Sequence, residues 1–239
     1  MSASQPSALL LDALGTLVAL EPPAPRLRRE LVQRFGIDIS DEQAASAISA
    51  EIAYYRAHLD EGVDGVRLRA LRERCAEVIR GALSSSMKIA GLSTLRIDEL
   101  STSELTDALL ASIRFSAFDD ARPAILAARA RGMRVIVASN WDFSLHEVLE
   151  HLGLAAVLDG IVTSAEAGAR KPASAVFERA LALAGAGPAQ AIHVGDSLEE
   201  DVAGARGIGI EPVFLCRDGR HPPAGTRMVR SLAELEHVL

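Results

Sequence analysis

A series of short apolar runs, alternating with segments of helical periodicity, constrains the fold of this chain more than any other feature. The runs predict strands over residues 8–11, 135–139, 160–163, 191–194 and 212–215 and around residue 228. Helical segments over residues 121–132, 146–151 and 174–184 lie between them, and a last helix is expected over 232–238. Strands separated by helices of this length form parallel sheets with right-handed crossovers. The sequence therefore predicts an α/β fold.

A block of helical sequence interrupts this alternation directly after the first strand. Apolar residues recur there with helical spacing, and we expect helices over residues 40–58, 67–83 and 101–113. Ser40, followed three residues later by Gln43, is typical of a capping box at the start of the first of these helices. We therefore predict a core domain of residues 1–20 and 114–239, interrupted by an all-α domain of residues 21–113.

Composition excludes several classes of protein. With 239 residues, 49% of them hydrophobic, the chain can bury a large core without a disulfide scaffold or a structural metal. Its apolar runs are far shorter than the ~18 residues of a membrane span, and the N-terminus lacks a signal-peptide pattern. Cys75 and Cys216 form neither a zinc pattern nor a disulfide framework, and the net charge of −7 argues against a nucleic-acid surface. We expect a cytoplasmic protein that binds neither membrane nor nucleic acid; the sequence does not indicate its oligomeric state.

Polar residues stand at the ends of several predicted strands. Ligands of an open α/β sheet bind beyond the carboxyl ends of its strands, so these residues form the candidate site. They are Asp12 after the first strand, Ser139 and Asn140 at the second, Lys171 after the third, and Asp196 and Asp201 after the fourth. Helix capping is an alternative role for Ser139 and Asn140. We interpret His193, inside the fourth strand, as a core residue and not as a ligand.

Four motifs in this order resemble those of the haloacid dehalogenase-like (HAD) superfamily. They are the stretch from Asp12 to Leu17, the pair Ser139-Asn140, the pair Lys171-Pro172, and Gly195-Asp196-Ser197 with Asp201. The resemblance covers nearly the whole chain, and the helical insertion looks like the type-1 cap of that superfamily. It implies a Rossmann-like parallel sheet with helices on both faces, an inserted all-α cap, and a hydrolase acting on a small phosphorylated metabolite.

The resemblance also implies catalytic and phosphate-binding roles. Asp12 would be the nucleophile that forms an aspartyl-phosphate, with Lys171 as its catalytic partner. Ser139, the backbone N–H of Asn140 and Lys171 would bind the phosphoryl oxygens. Of the 25 basic residues only Lys88 and Lys171 are lysine. Because arginine is used almost everywhere else, a lysine indicates a position that needs a compact ammonium group.

A metal site is implied by the carboxylates of the first and fourth motifs. Asp12, the backbone carbonyl of Leu14 and Asp196 would hold Mg²⁺, with Asp201 in the first or second coordination shell. The cation would screen the repulsion between an anionic nucleophile and an anionic phosphoryl group.

Leu14 departs from the family pattern. Phosphatases of the family usually carry a second Asp at this place, which protonates the leaving group and then activates water. General acid–base catalysis of this kind is worth ~10²- to 10⁴-fold, so we expect slow hydrolysis of ordinary phosphomonoesters. A good leaving group, as in an acyl phosphate or a phosphoanhydride, would make the acid unnecessary in the first step.

Three other interpretations of Leu14 stay open. The protein could bind a phosphorylated ligand or a partner without turnover. It could be a 2-haloacid dehalogenase, since halide leaves without a proton, although Gly195-Asp196 suits a metal site that dehalogenation does not need. It could be a phosphonatase, whose cap lysine forms a Schiff base, and Lys88 is the only lysine of the predicted cap.

Overall fold

The chain forms two compact units in the computed structural model, which describes residues 6–89, 95–219 and 223–238. The first, called here the α/β unit, comprises Met1–Ala19 and Ser116–Leu239. The second, called here the helical unit, comprises Leu20–Phe115. The chain therefore leaves the α/β unit shortly after its first strand and returns to complete it.

Six strands of the α/β unit form one parallel sheet. The strands of the described residues are β1 (Ala8–Leu11), β2 (Val18–Leu20), β3 (Phe115–Ala117), β4 (Arg134–Ser139), β5 (Gly160–Thr163), β6 (Ala191–Gly195), β7 (Glu211–Leu215) and β8 (Arg227–Val229). The sheet order is β5-β4-β1-β6-β7-β8, and each neighbouring pair is parallel. The apolar runs are buried strands because helices cover both faces of the sheet. The predicted strands and the α/β fold class are confirmed.

The strands β2 and β3 pair with each other in a separate two-stranded sheet, which the sequence analysis did not predict. Each has three residues and is partly exposed. Strands of this length are too short to display an alternating pattern of apolar and polar residues. The boundaries between the two units fall inside these strands.

The helical unit consists of helices with a common apolar core. Its α-helices are α1 (Pro23–Phe35), α2 (Asp41–His58), α3 (Gly65–Ile89), α4 (Leu95–Asp98) and α5 (Thr102–Ser112). The predicted capping box is confirmed, since Ser40 Oγ accepts from the Gln43 N–H at 3.1 Å and Gln43 Oε1 accepts from the Ser40 N–H at 2.8 Å. Ser101 and Glu104 form a second box at the start of α5. Lys88 lies in the last turn of α3, where its side chain is exposed.

The remaining helices surround the parallel sheet. They are α6 (Ala121–Ala130), α7 (Leu145–His151), α8 (Ser164–Ala167), α9 (Ala175–Ala184) and α10 (Gly204–Gly207), with short 3₁₀ helices at Ala155–Val157 and Pro188–Gln190 and a π-helical segment at Leu198–Ala203. Phe177 of α9 packs in the same buried cluster as Leu10 of β1 and Ile136 of β4. The last helix, Leu232–His237, is a 3₁₀ helix. Among the described residues, no helix is both long and apolar enough to cross a membrane.

Candidate active site

The carboxyl ends of three neighbouring strands bring the first polar residues together. The strand β1 lies between β4 and β6, so the residue that follows it, Asp12, is flanked by Ser139 at the end of β4 and by Asp196 after β6. Ser139 Oγ donates a hydrogen bond of 2.9 Å to Asp12 Oδ1. Asp12 is 6% exposed and Ser139 is 2% exposed. The sheet order thus places a buried carboxylate beside a hydroxyl donor.

Lys171 supplies a buried positive charge to this cluster. Its Nζ lies 2.7 Å from Asp12 Oδ1 and 2.5 Å from Asp201 Oδ1, with the side chain fully buried. Burial by itself would lower the pKa of Lys171, but the two carboxylates outweigh it and hold that pKa well above its usual range. Lys171 therefore favours its charged form between these two carboxyl groups.

Asp201 is the most extensively hydrogen-bonded carboxylate of the site. Its Oδ1 accepts from Lys171 Nζ and from His193 Nε2 at 2.9 Å, and its Oδ2 accepts from the Ser197 N–H at 3.0 Å. Burial would raise the pKa of Asp201, but Lys171 and His193 outweigh it and hold that pKa well below its usual range. A Cβ at Gly195 would overlap the Asp201 carboxylate, so only glycine leaves room for this side chain.

Asp12, Asp196 and Asp201 form a compact carboxylate cluster. Each can offer one oxygen so that all three atoms lie within 4.8 Å of one another. Burial, followed by the charges of Asp12 and Asp201, raises the pKa of Asp196 to about 7. Burial and the Asp201 charge also raise the pKa of Asp12, against the opposing effect of Lys171. Three carboxylates around one ammonium leave an excess of negative charge.

This donor set fits a hard divalent cation. All three side chains offer oxygen, the ligand that Mg²⁺ prefers, and the surplus negative charge is of the size that such an ion balances. Asp12 Oδ2 accepts no hydrogen bond from the described part of the chain, which leaves it available to a cation. Gly15, at φ +83°, passes so close to Asp196 that a Cβ would overlap its carboxylate. Glycine is therefore required at this position both by the positive φ and by the close approach of Asp196.

The side chain of Asn140 holds the backbone of Lys171. Asn140 Nδ2 donates to the Lys171 carbonyl at 3.0 Å, and the Lys171 N–H donates to Asn140 Oδ1 at 2.7 Å. Neither Ser139 nor Asn140 caps a helix, because α7 begins at Leu145 after the N-cap residue Ser144. The alternative capping role for these two residues is therefore wrong. The role predicted for the Asn140 backbone N–H at a phosphoryl oxygen stays a prediction.

Leu14 lies in the loop after β1 and is 37% exposed. This apolar side chain can neither donate nor accept a proton. Its backbone carbonyl was predicted as a metal ligand from the resemblance, and that role stays a prediction.

The match to a family model decides the relationship of this chain to known proteins. A model described as haloacid dehalogenase-like hydrolase matches residues 6–209. The chain belongs to the haloacid dehalogenase-like hydrolase family. The resemblance seen in the four sequence motifs is thereby confirmed.

Several relatives of this haloacid dehalogenase-like hydrolase are known. The haloacid dehalogenase-like hydrolase domain-containing protein 3 of Bos taurus is 37% identical over 111 residues, 46% of this chain and 43% of that protein. The ribulose-1,5-bisphosphate 5-phosphatase of Halopiger xanaduensis is 35% identical over 97 residues, 40% of this chain and 41% of that protein. These matches span less than half the length of either relative. Their activities therefore support proposals only.

A solved structure shares the fold of this chain. The crystal structure of a HAD phosphatase from Thermococcus onnurineus matches 97% of both chains with a TM-score of 0.64 and 22% identity. At this identity the similarity shows the fold alone.

Two contacts of the site were missed in the sequence analysis. We interpreted His193 as a core residue, and it is fully buried, but its Nε2 also donates to Asp201. The signal for this contact was its position two residues before Gly195, on the same face of β6. The hydrogen bonds between the Asn140 side chain and the Lys171 backbone had no local sequence signal, because the two residues are 31 positions apart.

Proposed function

We propose that this chain is a Mg²⁺-dependent phosphatase that acts on a small phosphorylated compound through an aspartyl-phosphate at Asp12. One observation carries the proposal: Asp12 Oδ1 accepts from both Ser139 Oγ and Lys171 Nζ, and a cluster of carboxylates stands beside it. A hydroxyl donor and an ammonium group beside the Asp12 carboxylate can also stabilise the negative charge of a phosphoryl group that reacts there. The phosphatase names of several relatives support this assignment.

The first step breaks the bond between phosphorus and the leaving oxygen. A carboxylate oxygen of Asp12 attacks phosphorus, and the bonding electrons move to the leaving oxygen. Ser139 and Lys171 bind and orient the phosphoryl oxygens and offset their negative charge. The leaving oxygen takes its proton from solvent, because Leu14 has none to donate.

The second step releases phosphate. Water attacks the phosphorus of the aspartyl-phosphate, its proton passes to solvent, and the bond from phosphorus to Asp12 breaks to restore the carboxylate. Leu14 offers no base for this step either. In the free site Asp12 and Asp201 hold the pKa of Lys171 above its usual range, so Lys171 enters the reaction as a cation.

Asp12, Asp196 and Asp201 would hold the metal ion, together with the backbone carbonyl of Leu14. When bound, Mg²⁺ supplies charge screening between the anionic nucleophile and the anionic phosphoryl group.

The substrate is expected to carry a good leaving group. The missing acid removes a contribution of ~10²- to 10⁴-fold, which falls most heavily on alkyl phosphomonoesters. Acyl phosphates and phosphoanhydrides lose less, because their leaving groups depart as stable anions. We also propose that the helical unit acts as a cap domain that selects the substrate, and that the enzyme is cytoplasmic, consistent with two free cysteines.

Leu14 favours one second candidate, a protein that binds a phosphorylated ligand without turnover. Two substitutions of Leu14 separate the candidates. With Mg²⁺, Leu14→Asp should raise kcat by ~10²-fold or more for an alkyl phosphomonoester such as glycerol phosphate, and by less for acetyl phosphate or p-nitrophenyl phosphate, whose leaving groups need no proton. The matched control is Leu14→Asn, because asparagine has the shape of aspartate but no carboxyl group. Its kcat should stay near that of the wild type.

The nucleophile is tested in the same assay. Asp12→Asn should abolish turnover and the alkali-labile, hydroxylamine-sensitive phosphorylation of the protein. Absence of turnover in both the wild type and Leu14→Asp would refute the phosphatase and leave ligand binding. Halide release from a 2-haloacid without Mg²⁺ would instead indicate a dehalogenase, and borohydride trapping of an imine on Lys88 a phosphonatase.

A further inference from the structure

His193 lies at the buried end of a chain of hydrogen bonds that leads to Asp12. Its side chain is fully buried, and its Nε2 stands 2.9 Å from Asp201 Oδ1. The same oxygen accepts from Lys171 Nζ, which in turn donates to Asp12. His193 and Gly195 lie two residues apart on β6, so both point to one face of the strand. Gly195 makes room for the Asp201 carboxylate on that face, and His193 provides it with a donor.

We propose that His193 is a positioning residue that orients Asp201 and, through Asp201, holds Lys171 in place beside Asp12. The inference deepens the proposed function and rests on it for the reaction that Lys171 serves. His193 itself touches neither Asp12 nor Ser139 in any hydrogen bond of the described residues.

The hydrogen bonds of Asp201 show how the orientation is achieved. The Ser197 N–H binds Oδ2, while Lys171 and His193 share Oδ1. Asp201 Oδ1 therefore has two side-chain donors, His193 and Lys171. The hydrogen bond from His193 offsets part of the negative charge of Oδ1 and so weakens its attraction for the Lys171 ammonium. Without His193, Lys171 would be drawn towards Asp201 and would lose contact with Asp12. The imidazole thus keeps one ammonium shared between two carboxylates.

Packing alone does not explain a histidine at this position. The ring meets Phe177 edge to face, with centroids 5.0 Å apart and an interplanar angle of 89°. A phenylalanine would make such a contact without burying polar atoms. His193 Nδ1 is buried and has no hydrogen-bond partner among the described residues, which is an unfavourable feature that phenylalanine would avoid. The bond from Nε2 to Asp201 is the contact that only the histidine provides, and it requires the proton on Nε2.

The lysine content of the chain offers a direct measurement of this role. Only Lys88 and Lys171 are lysines, so selective ¹⁵Nζ labelling yields at most two ammonium signals. Lys171 is buried and hydrogen-bonded, and its ammonium protons should exchange slowly enough to be seen. Lys88 is exposed and its protons should exchange too fast to be seen. Spectra are recorded on the full chain without added metal and again with Mg²⁺, and acetyl phosphate turnover is measured in parallel.

Two variants separate hydrogen bonding from packing. His193→Phe keeps an aromatic ring and removes the donor, whereas His193→Gln keeps an N–H donor near the position of Nε2. We expect His193→Phe to speed ammonium exchange at Lys171 and to lower kcat for acetyl phosphate, each by roughly 10- to 100-fold, as for loss of a hydrogen bond to a charged group. His193→Gln should restore both to within about threefold of wild type, with KM little changed in either variant.

Two results would overturn the inference. One is that His193→Phe leaves both readouts within about twofold of wild type; the other is that Phe and Gln impair both equally. If His193→Phe does not fold, the wild-type imidazole ¹⁵N spectrum decides, since a proton on Nδ1 in place of Nε2 contradicts the assigned bond. Ammonium exchange needs no turnover, so the role of His193 is tested even where the phosphatase proposal fails.

Discussion

Replacement of Lys171 by Met tests whether one buried ammonium holds the carboxylates of the site together. Methionine fills a similar volume but carries no charge, so the site keeps its packing and loses its cation. Lys171 Nζ lies 2.7 Å from Asp12 Oδ1 and 2.5 Å from Asp201 Oδ1, with no solvent exposure of the side chain. The variant therefore leaves two buried anions without the partner that both of them share.

The expected cost follows from this geometry. Removal of one partner from a buried ion pair costs about 3–5 kcal/mol, because the remaining charge is desolvated and uncompensated. For a domain of this size each kcal/mol lowers Tm by roughly 2–4 °C, so Lys171→Met should melt about 6–20 °C below wild type. Lys88→Met is the matched control, since the only other lysine is exposed, and it should change stability by less than about 0.5 kcal/mol.

The fluorescence of Trp141 provides the assay. It is the single tryptophan of the chain, it is buried, and it belongs to the α/β unit. Thermal unfolding followed by this signal therefore reports on the unit that contains Lys171. The measurement is made at neutral pH with a chelator and repeated with Mg²⁺. The proposed metal site predicts that Mg²⁺ recovers part of the loss, since a ligand of the folded carboxylates stabilises the folded state.

The pH dependence adds a second test of the same reasoning. The folded-state pKa of Asp201 lies well below the ordinary value of 3.8, so its contribution to stability is present above pH 3.8 and is lost as the pH falls below it. The deficit of Lys171→Met should therefore shrink in acid. A melting temperature within about 2 °C of Lys88→Met at neutral pH, in the presence of chelator, would refute the argument.

Two further substitutions test other parts of the structure. Gly195→Ala should cost about 1–3 kcal/mol in thermal unfolding, because its Cβ would overlap Asp201, whereas Gly207→Ala, with no atom near its Cβ, should be neutral or stabilising; equal effects would contradict the steric reason. Burial raises the pKa of Glu51 in the helical unit, so Glu51 favours folding below its ordinary value of 4.5 and opposes folding as the pH rises through the higher folded-state value. Glu51→Gln should therefore raise Tm at pH 7 and lose this advantage near pH 4, whereas the exposed Glu73→Gln should leave Tm unchanged at both.

Local signals predicted most of the elements. Short apolar runs report burial in a sheet covered on both faces, and each predicted strand of the parallel sheet is present. The capping box of Ser40 and Gln43 acts within one helical turn, so its outcome depends little on the rest of the chain. The strands β2 and β3 gave no such signal, because three residues are too few to show a period.

The sequence carried weaker signals for contacts between residues that are far apart along the chain. The order of the strands placed Asp12 and Ser139 at one edge, and sequence motifs were enough to select them as candidates. The sequence did not indicate that the Asn140 side chain binds the Lys171 backbone, nor that His193 donates to Asp201. Either side chain could point to solvent, to the core or to the site, and only its neighbours in the folded structure decide which.

The sequence by itself determined the alternation of strands and helices, the interruption by a helical block, and the presence of carboxylates, a lysine and a leucine at positions where the family carries its motifs. Only the tertiary structure decided which oxygen accepts from which donor. Asp12 Oδ1 receives Ser139 from 127 positions away and Lys171 from 159 positions away. Hydrogen bonds need distances of about 3 Å, and charges buried in a low dielectric act most strongly over a few ångströms. Distances of that size between remote residues arise from packing, so no spacing along the chain can specify them.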